Sequence, residues 1–274
     1  QYTTIVTPLI RSLWSLEAAH ANASDVFIFW LSMAATLKQL FDKDANITGI
    51  PRSLATDVTT IYNNRYAEFF RSEIYFAAYL LDPRYSLDDC LKLTISLPVP
   101  GTAGSSSQAF QRHSLRTSRY PRAYERLRKY LASLFVPILE RVQKSSDPSI
   151  GHPVVREMGV VQAAAKFKQE VEQFWNGEYP FRVIDAETIR DPLAWWRDLA
   201  NYNGAKLLSI VAIKIFSILV NSMPDERTNS TITWFNSPIR GNQSAGTLID
   251  MIQIGQWYGK HDPVSSVCFE RSAK

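Results

Sequence analysis

Three charges in succession, Asp225-Glu226-Arg227, follow closely on the apolar stretch 207–220. Taken by itself, Glu226 there reads as a carboxylate that pairs with Arg227 or another neighbouring base at a helix end. Asp82 and Asp191 are the other acids in suggestive places. Each directly precedes a proline, Pro83 and Pro192, where an Asp side chain serves backbone donors at a helix junction. His20, His113, His152 and His261 are widely separated and have no metal-ligand spacing.

A second chemistry is phosphate binding. Seven Lys/Arg lie within 112–129 against one acid, Glu125, with Tyr120, Tyr124 and Tyr130 interleaved. Arg112, Arg116, Arg119 and Arg122 could contact phosphates, because such contacts need mobile cations more than fixed geometry. The same composition also describes a solvated helix face, and both readings stay open. The formal charge of +4 and pI near 9.0 are compatible with nucleic acid without pointing to it.

With 274 residues, 46% hydrophobic, the chain can bury a sizeable core. Cys90 and Cys268 are too few and too far apart for a disulfide framework or zinc ribbon. The sequons at Asn22, Asn46, Asn229 and Asn242 are short enough to arise by chance. The most apolar segment, 207–220, would span only about 21 Å as a helix against a hydrocarbon core of about 30 Å, and it contains Lys214. It reads as a buried core helix, with no membrane partner.

Helical periodicity positions most of these residues. Leu9, Leu13 and Leu16 follow Pro8 at helical spacing. Asp25 is placed to cap a helix whose Val26, Phe29, Trp30, Met33, Leu37 and Leu40 form a wide apolar stripe. A long pattern from Pro51 ends abruptly at Leu81-Asp-Pro-Arg84. Prolines, glycines and serines then predict a mobile loop over 98–107. Leu127, Leu131, Leu134 and Ile138 mark a helix that Pro137 should kink or split. Another helix, through Val160, Phe167, Val171 and Phe174, should stop near Asn176-Gly177. Phe181-Arg-Val-Ile184 reads as a possible strand, then come the apolar helix, a Ser/Thr/Asn-rich loop and a short helix over 248–257. Trp195 and Trp196 must point different ways, so one can serve the core and the other a partner.

Three blocks together resemble the C-terminal part of hAT-superfamily transposases. Leu16-Glu-Ala-Ala-His20, Asp25-Val-Phe-Ile-Phe-Trp30 and Tyr75-Phe-Ala-Ala-Tyr-Leu-Leu-Asp-Pro-Arg84 resemble the helical domain inserted into that family's ribonuclease-H-like core. Asp191-Pro-Leu-Ala-Trp-Trp196 and the segment 222–258 resemble the end of the core and the dimerisation region. Thr228-Asn-Ser230 departs from the family's small residue followed by Phe-Ser. The resemblance implies a mainly α fold: a helical insertion-type domain over 1–180, then the C-terminal helical part of an incomplete ribonuclease-H-like core, with a dimerisation region over 181–258 and a disordered tail over 259–274.

It further implies that Glu226 descends from the last carboxylate of an Asp/Asp/Glu metal site. The expectation is that the sequence starts inside the inserted domain, after the two partner Asp and any zinc-finger module. This chain alone would then be inert and need no cofactor; an intact transposase uses Mg2+, which Glu226 would ligate only with the upstream Asp supplied. The expected activity is self-association, or association with a related transposase chain, through Trp195, Trp196, Ile213, Phe216, Leu248, Ile252 and Trp257, with DNA contact as a further role, in the nucleus. The alternatives are a fragment of an active metal-dependent transposase and a DNA-binding regulator derived from one. If the arginines bind phosphates, neutralising each contact lowers the slope of log K against log salt by about 0.9, measured by anisotropy on duplex DNA.

Overall fold

In the computed structural model of the chain, the described residues are 2–18, 20–85, 87–91, 120–145, 147, 150–183, 185–235 and 244–261. All regular structure among them is α-helical, so the fold is mainly α. The chain divides into two compact units. One comprises Gln1–Leu16 and His20–Val220; the other comprises Glu17–Ala19 and Asn221–Lys274. Residues 181–220 therefore pack within the first unit, and the division falls after Val220.

The first unit contains α1 (Tyr2–Leu16), α2 (Ala23–Phe41), α3 (Ala45–Thr48), α4 (Arg52–Phe69), α5 (Ile74–Leu81), α6 (Leu87–Cys90) and α7 (Pro121–Lys144). It continues with α8 (Pro153–Met158), α9 (Val160–Asn176), α10 (Pro192–Leu199) and α11 (Lys206–Phe216). Ile5, Met33, Ala34, Leu37, Ile50, Ala55 and Tyr62 form a small core joining α1, α2 and α4. The larger core is built around α5 and α11, flanked by α2, α7, α9 and α10. Ala77, Ala78, Tyr79, Leu80 and Leu81 of α5 are all buried, as are Leu207, Leu208, Val211, Ala212, Ile215 and Phe216 of α11. A helix apolar on every side is stable only inside such packing.

Several local expectations meet different physics. The N-cap of α2 is Asn22, whose Oδ1 accepts from the Ser24 and Asp25 amides, while Asp25 reaches back to the Asn22 amide at 3.0 Å. A capping residue must itself be non-helical, and Asp25 is the third residue inside the helix, so it completes a capping box. Pro137 does not split α7, which runs unbroken from Pro121 to Lys144, with Leu131 and Phe135 anchoring the preceding turns in the core and Ile138 and Leu139 packed against it. No strand forms at the described residues 181–183. Phe181 instead buries its ring edge-on to Phe174, and an isolated strand would leave its amides and carbonyls unpaired. Gly177 ends α9 with φ 70°, a left-handed conformation that suits glycine. The loop over 98–107 lies outside the described residues.

The polar ends of the buried helices decide the architecture. Ala205, at the start of α11, has no side chain able to accept from the helix's first amides. Glu170 of α9 does so across the core: its Oε2 accepts from Leu207 N at 2.9 Å and Leu208 N at 2.8 Å. Glu170 is wholly buried. Burial raises its carboxyl pKa, against the lowering effect of the two amides and the Lys166 charge. Because the folded pKa lies above the unfolded one, this carboxyl's contribution to stability is full below the unfolded pKa and is lost as pH rises through the folded pKa. Urea melts should therefore show the stability of the wild type relative to Glu170→Gln falling as pH rises above the ordinary carboxylate range. Glu170→Ala, which leaves two buried amides unpaired, should cost about 2–4 kcal/mol.

Candidate functional site

The Leu81-Asp-Pro-Arg84 element is a buried junction. Leu81 O, at the end of α5, accepts from Trp196 Nε1 at 2.9 Å. The Asp82 side chain is wholly buried and gripped by Arg84, with Nε 3.0 Å from Oδ1 and Nη2 2.7 Å from Oδ2. The Arg84 amide adds a bond to Oδ1 at 3.0 Å. Arg84 Nη2 also reaches Asp25 Oδ1 at 2.7 Å, so one guanidinium ties the start of α2 to the end of α5. Burial opposes the charge on Arg84, but the hydrogen bond and charge of Asp82 and the charge of Asp25 outweigh it and raise its pKa. Asp82 is thus engaged within the fold. Asp191 has the capping role expected of it, its Oδ1 accepting from Leu193 N at 2.9 Å.

Glu226 sits in the second unit, whose helices are α12 (Met223–Phe235) and α13 (Ala245–His261). Ser222 stands just before α12; its carbonyl accepts from the Asp225 and Glu226 amides, both at 3.0 Å. Its hydroxyl donates to Glu226 Oε1 at 2.8 Å. Asn221 Oδ1 takes the Met223 amide at 2.9 Å. Asp225 and Glu226 thus occupy the first turn, where the helix dipole favours negative charge. Residues 228–231 continue this helix rather than forming the Ser/Thr/Asn-rich loop expected from composition, and Thr233 Oγ1 bonds back to Asn229 O. A helix start capped in this way carries Ser, Thr and Asn that would otherwise favour turns.

Glu226 is exposed. Among the described residues no three His, Cys, Asp or Glu side chains are grouped to hold a metal ion. One carboxylate bonded to a serine hydroxyl does not fit the donor set of a two-metal centre, so no metal-dependent step follows from these residues.

Of the four candidate phosphate contacts, Arg112, Arg116 and Arg119 lie outside the described residues; Arg122 is exposed in the first turn of α7. The same helix holds Arg128 against Glu125 at 2.8 Å. Arg126 pairs with Glu73 at 2.6 Å and lies 4.3 Å from the Phe76 ring centroid. Glu73 stands at the start of α5, 53 residues away, beyond the reach of any local charge pattern.

The candidate association residues separate into three settings. Trp196 and Phe216 are buried in the core of the first unit, and Ile213 is half-buried beside them. Trp195 packs edge-on to Trp196 with ring centroids 4.9 Å apart and lines a cleft of about 330 Å3 with Tyr85, Phe174, Asn176 and Phe181. In α13, Leu248 and Ile252 are half-buried and Trp257 is 62% exposed. None of the described residues from 221 onward is buried. Helix α13 also extends through Gly259, Lys260 and His261, the first residues of the expected tail; 262–274 lie outside the described residues.

The roles of Glu170, Asn22 and Glu73 were not anticipated. Two of them have a local signal: Asn22 stands three residues before Asp25, the capping-box spacing, and Glu170 is a carboxylate within the stripe of Phe167, Val171 and Phe174, where an apolar residue is the norm. For the junction, Arg84→Ala strands the buried Asp82 carboxylate and should destabilise the protein by about 3–5 kcal/mol in denaturant melts, against about 1 kcal/mol or less for breaking the exposed pair with Arg65→Ala. No family model matches the chain, and neither a curated protein nor a solved structure matches it.

Proposed function

We propose that this chain is the C-terminal portion of a hAT-type transposase, a truncated, decayed or host-retained copy. It acts in the nucleus by associating with a second copy or a related transposase chain, and it contacts DNA phosphates. The carrying observation is the second unit: two helices totalling 30 residues with no buried residue among those described. Trp234, Ile249, Ile254 and Trp257 are each more than half exposed. Isolated helices of this length are marginal in water, and most helical stability comes from packing an apolar face. A hairpin of this kind gains its core by pairing.

In this reading the helices beyond residue 180 belong to a ribonuclease-H-like core completed by other elements. The Leu81-Asp-Pro-Arg84 junction supports the comparison with an inserted helical domain, because its acid and base lock two helices together. The metal chemistry of an intact enzyme needs the partner Asp residues, with Glu226 as the remaining carboxylate.

The test has two arms. Ile252→Glu with Trp257→Glu should raise the dissociation constant for self-association at least tenfold in sedimentation experiments, with helix content unchanged. Under the alternative, a fragment of an active metal-dependent transposase, joining the family's Asp-bearing upstream segment yields Mg2+-dependent cleavage of transposon-end DNA that Glu226→Gln abolishes. Self-association indifferent to the α13 changes would overturn the proposal, and cleavage in the second arm would favour the alternative.

A further inference from the structure

We infer that the outward face of α1 is a second self-association surface, on which α1 of another copy lies antiparallel. The inference is independent of the role proposed for the C-terminal hairpin.

On α1, Ile5 and Ser12 face the small core. Beside them runs a second apolar stripe that is exposed: Tyr2 is 80% exposed, Val6 39%, Leu9 44%, Ile10 42%, Leu13 61% and Trp14 67%. At 100° per residue these six side chains occupy an arc of about 140°. Tyr2, Val6, Leu9 and Leu13 recur at spacings of four, three and four, the a/d seam by which one helix packs along another.

Three observations commit this face to a second copy. The first is area. Taking about 150–250 Å2 for each whole residue, the exposed fractions amount to roughly 650 Å2, above the usual largest apolar patch of a monomer. A two-fold pairing would hide about 1,300 Å2, within the range of stable protein interfaces. The second is self-complementarity. A two-fold axis passing between Thr7 and Pro8 sets Leu13 against Tyr2 and Leu9 against Val6 in both directions, as an isologous contact requires. The third is charge. Arg11 is the one charged residue of α1, and it falls on the arc opposite the seam, beside Thr4 and Ser15, so pairing brings no like charges together. The polar arc otherwise carries hydroxyls, without the basic residues that hold an amphipathic helix at a membrane surface or on nucleic acid.

Sedimentation velocity on the full chain carrying Ile252→Glu and Trp257→Glu isolates this contact from the hairpin. Over about 1–50 μM that variant should remain a dimer, and adding Leu13→Glu should raise its dissociation constant at least tenfold, with far-UV circular dichroism unchanged. Leu13→Gln, a milder change at an exposed position, should weaken it in the same direction if the Glu variant folds poorly. A monomer in the Ile252→Glu, Trp257→Glu background over that range would overturn the α1 contact while leaving the hairpin reading intact. A dimer indifferent to both Leu13 changes would overturn it as well, as would pelleting of monomer with phosphatidylcholine–phosphatidylserine vesicles that Leu13→Glu abolishes.

Discussion

Two helices of the first unit, α5 and α11, bury most of their apolar surface, so the C-terminal end of α5 and the N-terminal end of α11 are buried with them. Every amide in a buried first turn, and every carbonyl in a buried last turn, must find a partner inside the protein. The Glu170 carboxylate meets that need for α11 by accepting two amides, and Trp196 Nε1 meets it for α5 by donating to Leu81 O. The first bond locks α9 to α11, and the second locks α10 to α5. Hydrophobic packing alone would let such helices slide along one another; a directional bond at each end sets their depth and register.

Arg84 extends the same logic to α2. Its guanidinium joins Asp82 at the end of α5 to Asp25 in the first turn of α2, and Asp25 is itself half of the capping box with Asn22. A buried ionic cluster of this kind need not stabilise more than an apolar substitute of the same shape. It is selective, because α2 and α5 satisfy the charges at one relative position. Proline at 83 prevents α5 from continuing and turns the chain so that Arg84 doubles back on Asp82.

The two units differ in how their apolar residues are used. The first encloses Trp175, Trp196 and the α11 side chains almost completely, and so is finished as a core. The second carries a comparable density of large apolar side chains in α12 and α13 without enclosing one that is described. Helix α1 has both characters: one edge sits in the small core of the first unit, and the wider face is turned outward. Surface of that kind is the physical basis for reading the protein as one whose activity lies in association. Glu226 fits the same picture. Its carboxylate accepts from the Ser222 hydroxyl at an exposed helix start and is positioned by local chemistry.

Local rules were enough to determine the helical character, the stop at Gly177, the cap at Asp191, the end of α5 before Pro83 and, of the segment 207–220 read as a core helix, the part up to Phe216; Ser217, Ile218 and Leu219 are exposed beyond the helix end. Each of these depends on residues within a few positions of one another, through periodicity, capping or proline and glycine stereochemistry. Residue 181, read as strand, and residues 228–231, read as loop, failed because packing against Phe174 and a capped helix start outweighed composition. The tertiary structure alone decided which Trp of the pair is buried, that Glu73 neutralises Arg126, that Glu170 caps a helix 37 residues further on, and which face of α1 meets water. Those outcomes depend on pairs distant in sequence, whose meeting is set by how whole helices pack, and no local spacing encodes that.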